Sequence, residues 1–356
     1  MTTKHTHLAI IYKNFASNVG ISHIGLGNAG VNIAKVLKKH GIQTTVFAAN
    51  NLQEVTARLK AVQPTHVVIS APWLKSNEII SLLNEFPLTE FVVNFHSNVG
   101  FLQADTQGVK LMREYIDIEQ SRQNFRISGN SQRFAQWLRS AYCCPCLLLP
   151  NMYYLDYSTH SNHHKTYKEG GILKIGAFGS IRPLKNFMSA AAAALQIKNN
   201  LKVDTEFYIN SGRAEGGGDT VRRSIEEMVH GIPGFEIREV PWVNWPAFRD
   251  VIRNVNLLLQ PSYTESFNMV TADGIAEGVP SVVSEAIDWV PSNWVASADD
   301  VHDIATVGER LLFDRSATQK GLICLETHNK RAFANWLGFL ELEPVGYRGV
   351  VDSHLL

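Results

Sequence analysis

The chain has 356 residues, 45% apolar and 19% charged, with 33 basic side chains balanced by 33 acidic ones. That size can bury substantial cores and points to two domains. No apolar run approaches the roughly 18 residues that span a bilayer, and the start MTTKHTHLAIIYKNF is too short in apolar residues for a secretory signal. A soluble, cytoplasmic protein without an integral membrane segment is the expectation.

The first half alternates strands and helices. Strands are expected at residues 7–12, 44–48, 66–70, 91–94 and 146–149, and helices near 28–40, 52–62, 77–86, 110–120 and 132–140. Such alternation implies a parallel, doubly wound sheet over residues 1–150. Gly25, Gly27 and Gly30 in ISHIGLGNAG have dinucleotide-binding spacing, which makes an NAD-dependent dehydrogenase the rival enzyme class. That fingerprint needs an acid about 20 residues on, and Ala48, Ala49 and Asn50 stand there. The alternative reading places the first strand at 7–12, which leaves residues 14–27, with Gly25 and Gly27, as a flexible loop before the helix. His96 closes the strand at 91–95, at the carboxyl end where ligands bind in such sheets.

Cys143, Cys144 and Cys146 lack zinc-ribbon spacing and Cys324 is remote, so all four read as reduced, buried thiols. The polar stretch that follows, with His160, His163 and His164, reads as a solvated linker over residues 151–171. No metal is expected. The nearest approach to an Asp-x-Asp loop is Asp117-Ile118-Glu119, inside a helix.

The same grammar resumes over residues 172–328. A strand at 172–178 runs into Gly179-Ser180-Ile181-Arg182-Pro183-Leu184-Lys185-Asn186 and then a helix at 187–197. Arg182 and Lys185 are cations at a strand-to-helix turn. Trp242 and Trp245, in EVPWVNW, offer rings for stacking on a base. A buried strand at 257–259 then leads through Glu265 to Ser266-Phe267-Asn268, read as the first turn of a helix carrying Asp273, with Gly278 and Pro280 ending it before a strand at 280–283. The N–H groups of a first helical turn hold phosphate without a basic side chain. Carboxylates beside it, Glu265 and Asp273, suit the paired hydroxyls of a sugar or a ribose. Phosphate flanked by two polyols describes a nucleotide sugar. After residue 328, the stretch 329–342 has helical periodicity.

These segments resemble the donor site of the retaining glycosyltransferases of family 4, in which two carboxylates eight positions apart bracket a Gly-Phe-Gly turn. Glu265 and Asp273 keep the spacing, although Asp273 replaces the usual Glu and the turn is Ser266-Phe267-Asn268. Lys185 matches the family's diphosphate-clamping Lys, whereas Ser180 stands where Arg is most frequent and Arg182 is the nearest guanidinium. The resemblance implies the GT-B fold: two Rossmann-like, doubly wound α/β domains facing a central cleft, with residues 329–356 returning to the first domain. It further implies transfer with retention from a nucleoside-diphosphate sugar, a UDP-sugar by preference, with no permanently bound cofactor. His96, Lys185 and Glu265 take the catalytic roles; Gly25, Gly27, Gly179, Ser180, Arg182 and Trp242 join Ser266, Phe267, Asn268 and Asp273 in holding the donor. A non-catalytic sugar-nucleotide binding module is the third class.

Charge is divided unevenly. Residues 1–150 hold 14 Lys and Arg against 8 Asp and Glu, which leaves 19 against 25 for the remainder. A basic first half, with Arg113, Arg122, Arg126, Arg133 and Arg139, suits an anionic acceptor that carries a hydroxyl. A membrane-associated or lipid-linked glycan is the leading candidate, with peripheral membrane attachment, and hydroxymethylated DNA is the alternative.

Overall fold

The structure, a computed structural model, describes residues 6–14, 24–156, 167–168, 170–210 and 212–347. The chain forms two compact units, one of residues 1–154 and 328–350, the other of residues 155–327 and 351–356. His160, His163 and His164, with most of the expected linker, lie outside the described residues.

In the first unit the strands are β1 (His7–Lys13), β2 (Gln43–Ala49), β3 (His66–Ser70), β4 (Glu90–Phe95), β5 (Phe125–Gly129) and β6 (Cys146–Leu148). They form one parallel sheet in the order β2-β1-β3-β4-β5-β6. Its helices are α1 (Ile24–Lys39), α2 (Leu52–Val62), α3 (Ser76–Glu85), α4 (Val99–Leu102), α5 (Thr106–Ser121) and α6 (Gln132–Tyr142). Near-continuous apolar strands such as HVVIS in β3 are buried on both faces. Side chains alternate, so Ala9, Ile11, Val67 and Ile69 enter one core while Leu8, Ile10 and Val68 enter the other.

The second unit has β7 (Leu173–Ala177), β8 (Thr205–Asn210), β9 (Phe235–Val240), β10 (Leu257–Gln260) and β11 (Ser281–Val283), parallel and ordered β11-β10-β7-β8-β9. Its helices are α7 (Phe187–Leu201), α8 (Gly218–Val229), α9 (Trp245–Arg253), α10 (Met269–Ala276), α11 (Val301–Phe313) and the start of α12 (Ala317–Phe339). Strand order reverses between β7 and β10, and in such sheets the crevice at that reversal is where ligands bind.

Three expectations about secondary structure need correction. The loop expected at 14–27, of which residues 15–23 lie outside the described residues, ends sooner than expected, because α1 starts at Ile24 and already contains Gly25, Gly27 and Gly30, none with positive φ. A Cβ at Gly27 would lie 3.1 Å from the Tyr12 ring, so this glycine serves close helix-to-strand packing. Strand β5 escaped the sequence reading because FRISG is short and partly polar; it pairs with β4, and Ser128 donates to the Asn94 side chain at 3.0 Å. Helix α12 begins at Ala317, well before 329; buried Thr318, Glu326 and Asn329 interrupt the apolar stripe that would have marked its first turns. The later part of α12 packs Phe333, Trp336 and Leu337 on the Leu8 and Ile10 face of the first sheet. Asn329 bonds both the N–H and the carbonyl of Tyr153, and Trp336 Nε1 donates to Pro150 O at 2.8 Å.

The cysteine expectation holds for Cys144 and Cys146, whose thiols burial pushes up to about 11 and about 12. It fails for Cys143. That residue is the left-handed cap of α6 at φ 49° and is exposed, and Cys324 is only partly covered.

Candidate functional site

At the reversal point of the second sheet, the loops after β7 and β10 are locked together. Gly179, at φ 116° where a side chain is disfavoured, donates its N–H to Asn210 Oδ1 at 2.8 Å. The chain then turns through a short 3₁₀ segment, Pro183–Lys185, to Asn186 in the left-handed region at φ 56°. The buried Asn186 amide donates to Pro261 O at 3.0 Å and Ala298 O at 2.6 Å, while Tyr263 N–H donates to Leu184 O at 3.0 Å. These bonds fix Lys185 against Glu265. The two form an ion pair through Lys185 Nζ and Glu265 Oε2, with side chains only 13% and 12% exposed.

Burial alone would push the Glu265 carboxyl up, but the charge and hydrogen bond of Lys185, the charge of Arg182 and the Ser266 N–H hold it below the usual range. An ion pair this shielded gains little net stability. Its value is chemical: a fixed cation and a fixed hydrogen-bond acceptor stand side by side at the sheet's carboxyl edge.

Ser266-Phe267-Asn268 is not the first helical turn that the sequence suggests. Helix α10 begins at Met269, and Asn268 is its cap, at φ 64° with Oδ1 accepting from Thr271 N–H at 2.9 Å. Asn is the side chain that best tolerates a backbone otherwise reserved for glycine. Its amide also donates to Glu265 Oε2 at 3.3 Å and Gln260 Oε1 at 3.2 Å, so the cap also orients the carboxylate. Phe267 is buried, stacked on Trp289 with ring centroids 5.0 Å apart, and serves as packing beneath the loop.

The loops after β8 and β9 complete one wall. Ile181 N–H donates to Arg213 O and Glu215 N–H to Ile181 O, lacing the β8 loop to the β7 loop. Glu215 thereby pairs with Arg182, at 3.5 Å, and with Arg213. Arg213 lies 5.5 Å over the ring of the half-buried Trp242. The Ser180 hydroxyl is buried and, among the described residues, makes no hydrogen bond. Asp273 departs most from expectation: it is 2% exposed and accepts from Trp245 Nε1 at 2.8 Å.

The sequence reading missed Asn186, Asn210, Glu215 and the orienting role of Asn268. Only the last carried a signal, since Asn stands where the resembled turn has Gly.

Gly25, Gly27 and His96 lie in the first unit. His96 sits at the carboxyl end of β4, with Nδ1 3.3 Å from the Asn130 amide. Burial lowers its pKa to about 4, so it is neutral near pH 7. Asn50, where the dinucleotide fingerprint needs an acid, is bonded to Glu54, and the glycines of that motif are helical.

A sequence profile described as family 4 glycosyltransferases in conflict systems matches residues 144–287. No curated protein sequence matches the chain. Among solved structures, trehalose-6-phosphate synthase OtsA superposes with TM-score 0.69 at 10% identity, covering 96% of this chain and 100% of its own. Anabaena HepE, in complex with UDP and glucose, superposes with TM-score 0.60 at 11% identity, covering 94% and 99%. TarM of S. aureus, in a complex that includes UDP, gives TM-score 0.60 at 13% identity over 82% of this chain, which spans 59% of TarM. The fold is therefore GT-B, and the profile bears out the resemblance to family 4. No helix among the described residues is long and apolar enough to cross a membrane.

Proposed function

We propose that this GT-B glycosyltransferase moves a sugar from a nucleoside-diphosphate sugar to a hydroxyl acceptor, with retention at the anomeric carbon. The observation that carries this reading is the shielded Lys185–Glu265 pair at the strand-order reversal. Breaking the bond between the anomeric carbon and the diphosphate oxygen leaves negative charge on the departing nucleotide. Lys185, Arg182 and the amino end of α10 stabilise that charge more in the transition state than in the ground state. Glu265 accepts hydrogen bonds from hydroxyls of the transferred sugar, and Trp242 offers its ring to the base. His96, neutral at working pH, serves as a hydrogen-bond partner for a sugar hydroxyl. UDP is the first nucleotide to try, because HepE and TarM were solved with it.

A nucleoside diphosphate should raise the melting temperature by mass action, and NAD or NADP should not. A shift with NADH alone would favour the dehydrogenase reading and count against this one.

For the acceptor we propose a polyanion, supported by exposed Arg113 on α5 and exposed Arg133 and Arg139 on α6. A glycan on a lipid carrier is the leading candidate. The exposed arginines, which suit phosphate, keep hydroxymethylated DNA as a second. Transfer of labelled sugar to hydroxymethylated duplex DNA, unmodified DNA and membrane extracts should be compared at low and moderate salt. For a DNA acceptor, the logarithm of affinity should fall by about 0.7 to 0.9 per phosphate contact for each tenfold rise in salt. Salt-insensitive transfer to a small neutral sugar alone would remove the polyanion from the reading.

A further inference from the structure

We propose that Arg213, on the loop after β8, binds the diphosphate of the donor as a second guanidinium beside Arg182. This rests on the proposed function and adds a residue to its site. Pairing between the two loops brings Arg213 there. Ile181 N–H donates to Arg213 O at 3.0 Å and Glu215 N–H to Ile181 O at 2.8 Å, which makes a parallel bridge between Ile181 and Ala214. That register sets Ser180 beside Arg213 and Arg182 beside Glu215. Side chains alternate along each segment, so Ile181 turns into the core, 0% exposed, while the polar side chains on either side of it share the opposite face. Glu215 accordingly pairs with both guanidiniums.

Charge balance gives Arg213 its role. Lys185 is offset by Glu265 and Arg182 by Glu215, so those two pairs together present no net formal charge to a departing diphosphate. Arg213 is the cation in excess. A guanidinium has five N–H donors, and one carboxylate engages at most two of them in a fork, so Arg213 keeps donors for phosphate oxygens after pairing with Glu215. It is also held before any ligand arrives. Its guanidinium lies 5.5 Å over the Trp242 ring, and its neighbour Gly212 is pressed against that residue, since a Cβ there would lie 2.9 Å from Trp242 Cβ. With its side chain 30% exposed, Arg213 is positioned yet reachable, which lowers the ordering cost of binding. Arg182 in turn stands close enough to Glu265 for its charge to lower that carboxyl's pKa. Contacts therefore run from Trp242, where a base would lie, through Arg213, Glu215 and Arg182 to the Lys185–Glu265 pair.

The test is calorimetric, on the full chain. Dissociation constants are measured for UDP, GDP and ADP, and by displacement for uridine, guanosine and adenosine. For the base that binds, Arg213→Ala should weaken the diphosphate at least about fivefold more than the nucleoside, because a charge-assisted contact to phosphate is lost. An arginine that only steadies Trp242 would weaken both alike. Arg213→Gln keeps an alkyl stem over the ring and a donor for Glu215, and it should show the same selective loss. Melting of the unliganded variants establishes that each is folded. A selective loss below about fivefold in Arg213→Ala, or in Arg213→Gln should the alanine variant not fold, overturns the proposal and leaves the donor reading standing. Binding of none of the three diphosphates to the wild type would instead overturn the donor reading itself, and the inference with it.

Discussion

Lys185→Ala and Glu265→Ala should each lower turnover by a factor of about one hundred or more, as expected when a charge contact strengthened in the transition state is removed. Each single change also strands a shielded charge. Lys185→Ala leaves Glu265, 12% exposed, without its cation, and Glu265→Ala leaves Lys185 at 13% without its anion. Both should therefore be less stable as well as less active. The double variant separates the two effects. It leaves no unpaired charge, so it should recover much of the lost stability and none of the turnover. Single-turnover rates on folded protein, with urea unfolding alongside, provide the check. Activity within a few-fold of wild type in both single variants would remove Lys185 and Glu265 from the site.

His96 should make the protein acid-sensitive. Its pKa is about 4 in the fold against 6.5 when unperturbed, because burial disfavours the imidazolium. Between those values the unfolded chain binds a proton that the folded chain does not. The stability contributed by neutral His96 is full above pH 6.5 and is lost as pH falls towards 4. The shift corresponds to at most about 3 kcal/mol. In His96→Asn that component vanishes, so the stability difference between wild type and variant should change steadily across this window. A difference that stays constant from pH 7 to pH 4 would show that His96 is not shielded.

Much of the fold was legible because its signals are local. Apolar runs such as HVVIS and helical periodicity such as that of α6 report burial from neighbouring residues alone, and parallel α/β architecture follows from their alternation. Where local signals were mixed, the reading failed. Strand β5 carries Arg126 and Ser128 among few apolar residues, and α12 buries Thr318, Glu326 and Asn329. Gly25 and Gly27 read as loop residues because the sequence does not show the Tyr12 ring that Gly27 packs against.

By itself the sequence determined that Lys185 follows one strand and Glu265 another, with the residue types that handle phosphate and sugar hydroxyls. Tertiary structure decided that they meet. They are 80 positions apart and touch because β7 and β10 are neighbours in the sheet, an order no local pattern encodes. It also decided that Asp273, which the sequence offers to a ribose, accepts from Trp245. A carboxylate's chemistry is fixed by its residue type, but what it binds depends on which donors, from remote parts of the chain, the fold has already brought within hydrogen-bond reach.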